Sequence, residues 1–282
     1  VKFNVALGLK LLSPVRVVDD GKYFSGWYTD SGYENKISEI VAGTDEDITL
    51  YAKWELPYNV WRDGTLTEVN SLGKTLSEII IIPEVDGVKV KKIGVLAFRN
   101  CTSLVSISIP YGVTAIDNVA FGGCRNLTNV ELPESLTSIG NGAFQDCANL
   151  TEISIPDSVN AIGPFIFNNC KSLINVKLSS KITRIEQKAF SGCNKLLNVN
   201  IPEGVTYIDS NSFSGCVSLK SIDIPGSVGR IGFLAFNGCS SLESVILPEG
   251  LTTIEGYLFS DCHSLTAVTI PESVTVIEDR AF

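Results

Sequence analysis

The cysteines of this chain are periodic. All eight lie 23 residues apart, and they are Cys101, Cys124, Cys147, Cys170, Cys193, Cys216, Cys239 and Cys262. Phenylalanine keeps the same step from Phe98 to Phe282, isoleucine from Ile93 to Ile277 and leucine from Leu104 to Leu265. A period of this length indicates one supersecondary unit that is stacked repeatedly, each copy burying its apolar face against its neighbours. The repeat therefore predicts a solenoid.

Each unit is expected to contain a short strand, a corner and a phenylalanine. In the copy that begins at Cys124, Val130 and Leu132 alternate with polar residues, which is the period of a half-buried strand. Pro133 follows, and proline recurs at this position in every copy except one, which has Ser179. Because proline cannot donate to a strand ladder, it marks a corner where the chain leaves the sheet. An isoleucine and a phenylalanine after the corner supply two further walls of a core.

The residue before each cysteine is Asn, Asp or Gly, the types that tolerate positive φ. We therefore predict a left-handed turn there, closing a one-turn helix or 3₁₀ segment that carries the phenylalanine. Parallel strands of successive copies should stack about 4.8 Å apart. At the N-terminal side, Tyr58–Trp61 and Thr65–Val69 flank Arg62-Asp63-Gly64, which predicts a capping hairpin.

Composition excludes several classes of function. The 282 residues are 44% hydrophobic and 19% charged, which is typical of a folded protein, and the net charge of −9 argues against a partner with a phosphate backbone. No apolar run is long enough to span a bilayer, so this fragment is not expected to insert into a membrane. The chain lacks methionine and stops at Phe282, halfway through a repeat, so we expect it to be an excerpt of a longer polypeptide.

The repeat columns resemble the BspA-like leucine-rich repeats of bacterial surface proteins over about residues 58–282. Residues 1–56 differ: Gly26–Asp30 and Asp47–Trp54 resemble the two signature segments of the Listeria-Bacteroides repeat, a small β-grasp-like module. Both resemblances imply an extracellular setting on the bacterial cell surface, with signal and anchor outside the supplied chain, and a role in adhesion. The expected fold is mainly β: a leucine-rich-repeat solenoid with a small N-terminal β-grasp-like module.

Three regions are predicted on this basis. Residues 1–56 form the N-terminal module, residues 57–97 form a cap and a first irregular repeat, and residues 98–282 form the regular solenoid, truncated within a repeat.

The cysteines admit several interpretations. Their even number in an extracellular setting suggests disulfides, and neighbouring repeats would place their Cα atoms within bridging range. Side chains of one column point the same way into the core, however, which favours a ladder of buried reduced thiols. Disulfides and a zinc site stay open as alternatives. His263, the single histidine, lies in a column of variable composition and is expected in an exposed turn, so we predict no catalytic residue, metal site or cofactor.

Carboxylates follow the corner in one column, and they are Glu134, Asp157, Glu203, Glu249 and Glu272. A solvated acidic edge is the favoured interpretation, and a weak cation stripe is the alternative.

A candidate ligand surface lies where the second strand carries large side chains in three consecutive repeats. Arg184, Tyr207 and Arg230 should stack about 5 Å apart. Arginine and aromatic residues are enriched at binding surfaces, although this arrangement is also an ordinary intramolecular cation–π stack. Nearby outward positions that complete the candidate site are Lys177, Asn200, Asp223, Asn175 and Asn198.

The function that the resemblance implies is a non-enzymatic extracellular recognition or adhesion scaffold that binds a protein or glycan ligand through the solenoid surface. A passive surface spacer and an accessory domain of a larger secreted enzyme are the alternatives.

Overall fold

The computed structural model describes residues 9–13, 20–42 and 48–282. This part of the chain consists almost entirely of short β-strands, and its one helix is a 3₁₀ turn at Gly73–Thr75. The mainly β fold predicted from the sequence is confirmed.

Antiparallel strands make up the described N-terminal part. They are β1 (Leu9–Lys10), β2 (Tyr23–Tyr28), β3 (Lys36–Ile37), β4 (Glu39–Ile40) and β5 (Tyr51–Glu55). Strand β2 pairs with β3 and β5, and β1 pairs with β4. Phe24 packs edge-on against Trp27 and Trp54, with ring centroids 5.4 and 5.7 Å apart. The boundary of a module over 1–56 stays a prediction, since Asp47 and other residues of that range lie outside the described residues.

A hairpin and an irregular repeat follow. Their elements are β6 (Tyr58–Val60), β7 (Thr65–Val69), the 3₁₀ turn, β8 (Glu78–Ile80), β9 (Glu84–Val85), β10 (Val88–Lys89) and β11 (Lys92–Ile93). Strands β6 and β7 pair antiparallel, which confirms the predicted hairpin, and Gly64 adopts φ +87° in its turn. The extra residues of the first repeat form a second hairpin, β9 with β10.

Two tyrosine hydroxyls cover the edge of strand β8 and of the residues that follow it. The backbone N–H of Ile80 donates to the Tyr23 hydroxyl at 3.0 Å, and the N–H of Ile82 donates to the Tyr58 hydroxyl at 2.9 Å. Burial raises the pKa of Tyr58 to about 12. Open strand edges invite unwanted pairing, so these hydroxyls satisfy donors that a further strand would otherwise bind.

The regular repeats form two ladders of parallel strands. The first ladder begins with β8 and continues through β12 (Ser106–Ser108), β14 (Asn129–Glu131), β16 (Glu152–Ser154), β18 (Asn175–Lys177), β20 (Asn198–Val199), β23 (Ser244–Ile246) and β25 (Ala267–Thr269). The second ladder begins with β7 and β11 and continues through β13 (Ala115–Ile116), β15 (Ser138–Ile139), β17 (Ala161–Ile162), β19 (Arg184–Ile185), β21 (Tyr207–Ile208), β22 (Arg230–Ile231), β24 (Thr253–Ile254) and β26 (Val276–Ile277).

Equivalent residues of successive repeats are partners in both ladders. Ile107 pairs with Val130 in the first ladder, and Ile116 pairs with Ile139 in the second. These apolar positions are buried, whereas most of their sequence neighbours face outward. The period of two in each strand therefore sets one side toward the core and the other toward solvent.

Phenylalanines form the third wall. Their rings stack from Phe98 to Phe282, with centroids of neighbours 5.0 to 6.0 Å apart. The N–H of Phe98 donates to the carbonyl of Ala120 in the next repeat, and the same bond recurs along the column. The three walls enclose one continuous core that runs from Tyr58 to Ala281.

The segment that carries each phenylalanine is a series of turns. The predicted one-turn helix or 3₁₀ segment does not form as a helix, although single i to i−3 bonds of the 3₁₀ type are present. The N–H of Arg99 donates back to Leu96, whereas the N–H groups of Phe98 and Asn100 donate to the next repeat. A helix would direct every N–H along its own axis, so hydrogen bonding to the neighbouring repeat at alternate residues prevents it.

The left-handed turn before each cysteine is confirmed at all eight positions. Their φ angles lie between +58° and +77°. A second left-handed column, two residues before each phenylalanine, was not predicted because its residue types are diverse. It has φ between +53° and +62° at Leu96, Val119, Gly142, Phe165, Lys188, Asn211, Leu234, Tyr257 and Arg280.

Ser179 replaces the corner proline and is completely buried. Its hydroxyl donates to the carbonyl of Val159 in the preceding repeat at 2.5 Å. In three other repeats a serine two positions after the proline makes this bond, for example Ser135 to Val113 at 2.8 Å. Lys181 occupies that position here, so Ser179 supplies the missing donor.

Candidate functional site

The predicted stack of Arg184, Tyr207 and Arg230 forms on the second ladder. The three residues are register partners in β19, β21 and β22. The guanidinium carbons of Arg184 and Arg230 lie 4.4 and 5.4 Å from the centre of the Tyr207 ring. Both cations therefore contact the same ring from neighbouring repeats.

Carboxylates of the same wall neutralise this stack. Arg184 donates through Nη2 to Asp209 at 2.5 Å and lies 3.5 Å from Glu186, and Arg230 lies 3.3 Å from Glu255. The Tyr207 hydroxyl donates to Asp209 at 3.1 Å. Each polar group of the stack thus has an intramolecular partner.

The pKa of Asp209 reflects these bonds. Burial alone would raise the pKa of this carboxyl, but hydrogen bonds from Arg184 and from the backbone N–H of Ser210 outweigh it, so the pKa is lowered. Burial raises the pKa of the neighbouring Glu186. The charges of the stack are therefore balanced by carboxylates of the same chain.

The other five predicted site residues belong to the first ladder, a different wall of the solenoid. Asn175 and Lys177 lie on β18, and Asn175 is the register partner of Asn198 on β20. Asn200 and Asp223 are exposed further along the same face, and residues 221–223 form no strand. The structure therefore separates the eight residues into two surfaces.

A groove of about 490 Å³ lies on the first ladder. Its lining residues are Asn129, Val130, Glu131, Leu132, Glu134, Glu152, Ile153, Ser154, Pro156, Asn175 and Lys177. Only Asn175 and Lys177 were among the predicted site residues. The sequence signal for the groove was the small side chain of Ser154 between the long side chains of Glu131 and Lys177 in one outward column, and this combination was missed.

The groove coincides with an interruption of the first ladder. Strands β12 and β14 pair with each other, as do β16 and β18, but β14 and β16 belong to separate sheets. Asn129 of β14 and Glu152 of β16 both line the groove. The groove therefore lies at one of the interruptions of the first ladder.

The cysteines lie in the core and away from both surfaces. Seven are buried, Cys262 is half-buried, and all eight are free thiols in this structure. Burial raises the pKa of Cys124 to about 12 and that of Cys262 to about 11. Neutral buried thiols are poor nucleophiles, so this environment does not activate them.

His263 is exposed, as predicted. Over residues 9–13, 20–42 and 48–282, no three His, Cys, Asp or Glu side chains are grouped so that they could hold a metal ion. In the acidic column, the Asp157 carboxylate accepts bonds from the N–H and hydroxyl of Ser180, and these bonds lower its pKa.

The stacked 23-residue repeats, parallel ladders and outward polar face define the class of leucine-rich-repeat solenoid proteins. The profile of the BspA type leucine rich repeat region, in six copies, matches residues 91–216 and 160–282. The chain therefore belongs to the BspA type leucine rich repeat family. The Listeria-Bacteroides repeat domain matches residues 2–53.

Solved structures include several similar bacterial proteins. A leucine rich repeat protein of T. pallidum is 35% identical with a TM-score of 0.61, and the match covers 66% of this chain and 86% of that one. A leucine rich cell surface protein of Faecalibacterium prausnitzii is 25% identical, with 80% and 83% of the chains covered and a TM-score of 0.42. A leucine-rich repeat protein of Bacteroides ovatus is 24% identical, with 95% and 80% covered and a TM-score of 0.44. No curated protein matches the chain.

No helix in the described part of the chain combines the length and the apolar composition that crossing a membrane requires.

Proposed function

We propose that this chain is a non-enzymatic recognition scaffold at the bacterial cell surface, and that it binds a protein or glycan ligand through the outer face of its solenoid. The observation that carries this proposal is the groove on the first ladder, where outward polar side chains of successive repeats surround a concave surface. Concave sites with a few convergent polar groups are the usual form of ligand sites.

Family membership supports the proposal. BspA type leucine rich repeat proteins are a family of bacterial surface proteins built on a scaffold, and the F. prausnitzii relative is described as a cell surface protein. Solenoids of stacked repeats present extended surfaces for binding.

Rigidity of the repeat array gives further support. The core is continuous from Tyr58 to Ala281, so the outward side chains of neighbouring repeats are held at fixed spacing. A preorganised surface binds with a smaller entropy cost than a flexible one.

The Arg184, Tyr207 and Arg230 stack is retained as a second candidate surface, and Asn198, Asn200 and Asp223 stay candidate contacts on the first ladder beyond the groove. Its ring and guanidinium groups are partly exposed, but their charges are already paired within the chain. A ligand there would have to displace these intramolecular bonds, so the groove is the stronger candidate.

The test is an array of matrix proteins and glycans probed with this chain and two variants. Ser154→Trp fills the groove, and the triple variant Arg184→Ala, Tyr207→Ala, Arg230→Ala removes the stack. We expect binding that Ser154→Trp abolishes. Absence of any bound ligand would contradict the proposal and favour the passive spacer or the accessory domain of a secreted enzyme.

A further inference from the structure

We infer that the groove on the first ladder is a glycan subsite, which takes a short stretch of an uncharged or amino-substituted oligosaccharide. This inference rests on the proposed recognition function and narrows its ligand class from protein or glycan to glycan.

The shape of the groove follows from one short side chain. Ser154 is the register partner of Lys177, and Glu131 occupies the same column one repeat before Ser154. With strands about 4.8 Å apart, the backbones that carry Glu131 and Lys177 are separated by roughly 10 Å. Ser154 therefore forms a notch between two long side chains of opposite charge.

These two charges have no ion-pair partner within 4 Å among the described residues. Lys177 lies close enough to Asp157 to help lower the pKa of that carboxyl, but the two do not form an ion pair. Glu152 of the groove is likewise without an ion pair in the described part. The groove therefore offers unused acceptors and an unused donor, in contrast to the Arg184 and Tyr207 stack.

The lining suits a polyhydroxy ligand. Each sugar hydroxyl both donates and accepts hydrogen bonds, and the amides of Asn129 and Asn175 and the hydroxyl of Ser154 can do both as well. The carboxylate of Glu152 accepts and the ammonium of Lys177 donates. Val130 and Ile153 are buried and point into the core, so hydrogen bonds from these outward polar groups, and not apolar contact, would hold the sugar.

A protein partner fits this groove less well. Protein interfaces concentrate their binding energy in Trp, Tyr and Arg, and none of these residue types lines the groove. The volume of about 490 Å³ is within the usual range of small-ligand sites and accommodates a short oligosaccharide.

Charge selects among glycans. The groove carries the carboxylates of Glu131, Glu134 and Glu152 against the single ammonium of Lys177. Like charges repel, so anionic glycans are disfavoured, while an amino group on the sugar would be attracted.

The test compares three tetrasaccharides by isothermal titration calorimetry with the whole chain: β-1,4-linked glucosamine, its N-acetylated counterpart and galacturonate. We expect binding in this order of affinity, with none for galacturonate. Ser154→Trp should abolish binding, whereas Thr269→Trp, at the equivalent outward position five repeats later, should leave it unchanged.

A second variant shows whether a loss of binding in Ser154→Trp comes from the filled groove or from misfolding. Glu131→Gln with Glu152→Gln keeps the size of both side chains and should lower the affinity for the glucosamine tetrasaccharide about fivefold or more, while the affinity for the N-acetylated one changes little. Binding of galacturonate as strong as that of glucosamine, or binding that Ser154→Trp leaves unchanged, would overturn the inference.

The outcomes separate this inference from the proposed function. If no tetrasaccharide binds but the chain captures a matrix protein on the array, the glycan subsite is wrong and the recognition function stands. If neither experiment detects a ligand, both are wrong.

Discussion

The thiol of Cys170 donates a hydrogen bond to the backbone carbonyl of Phe144 in the preceding repeat, with an Sγ–O distance of 3.1 Å. The same bond, at 3.0 to 3.2 Å, recurs in the column formed by Cys124, Cys147, Cys170, Cys193, Cys216, Cys239 and Cys262. Cysteine thus fills the core as a small residue and also links the turn of one repeat to the next. This dual role explains why a plain apolar residue would not serve equally well.

Replacement of this thiol should be costly in the middle of the column. Cys170→Ala leaves a small cavity and removes the bond to Phe144, so we expect the free energy of unfolding to fall by about 1–2 kcal/mol. Cys262→Ala, where the site is half-buried, should cost less. Chemical denaturation of the two variants measures the difference, and equal losses would contradict the proposed role of burial.

The thiols should make the protein sensitive to alkaline pH. Burial raises the pKa of Cys262 to about 11 and that of Cys124 to about 12, both above the value of about 9 for an unfolded thiol. Below pH 9 both states keep the proton. Above it the unfolded thiols ionise first, so stability should fall as pH rises from 9 toward 11.

Denaturant titrations at pH 8, 9, 10 and 11 measure this slope, and a variant with Cys147→Ala and Cys170→Ala should show a shallower one. Eight thiols should react with a thiol reagent in denaturant and far fewer in the native protein. A count of zero in denaturant would show four disulfides and refute the thiol ladder.

Two buried serines should respond in opposite directions to alanine. The Ser212 hydroxyl is buried in the column otherwise occupied by alanine and larger apolar residues, and it has no hydrogen-bond partner within the described residues. Ser212→Ala should therefore stabilise the protein by about 1 kcal/mol. Ser179→Ala removes the bond to Val159 and should destabilise it by about 1–3 kcal/mol. Thermal unfolding compares them, and a loss of stability in Ser212→Ala would show an undetected partner for its hydroxyl.

Left-handed turns before the cysteines can be tested at two glycines. At Gly215, with φ +75°, an added Cβ would meet nothing closer than 3.7 Å, so Gly215→Ala isolates the conformational cost of about 1–2 kcal/mol. At Gly123, with φ +77°, the Cβ would lie 2.2 Å from the Asn100 side chain, so Gly123→Ala should cost more. Gly123→Val should cost at least as much as Gly123→Ala, since its side chain is larger. Unchanged stability in Gly215→Ala would contradict the left-handed assignment.

The cation–π contact between Arg184 and Tyr207 should contribute to stability. A double-mutant cycle with Arg184→Ala and Tyr207→Ala should give a coupling of about 0.5–1 kcal/mol, which is modest because the guanidinium is partly exposed. A coupling near zero at pH 7 would contradict the cation–π contact.

The lowered pKa of Asp209 predicts the direction of the acid response: its stabilising effect is present above the unfolded pKa of about 4 and is lost as pH falls below it. The loss of unfolding free energy caused by Asp209→Asn should shrink as pH falls from 5 to 3, and a loss that grows would contradict this assignment.

Much of the solenoid could be predicted from the sequence because its period is fixed. The 23-residue step of cysteine, phenylalanine, isoleucine and leucine defines equivalent positions, and equivalent positions must stack when one unit repeats. The left-handed residue before each cysteine could be predicted as well, since Asn, Asp and Gly are enriched where φ is positive. The second left-handed column could not, because Val119 and Phe165 have no such preference and are held there by bonds to the next repeat.

The candidate site was less predictable. Arg184, Tyr207 and Arg230 could be placed next to each other from the repeat alone. The carboxylates that neutralise them, Glu186, Asp209 and Glu255, also share one column of the repeat, but their pairing depends on side-chain conformations that the period does not specify. The groove depends on the side-chain lengths of Glu131, Ser154 and Lys177 in successive repeats and on the missing strand pairing between β14 and β16. Local residue types determined which side chains face outward, whereas only the packing of one repeat against the next decided which of them already have partners and which stay available to a ligand.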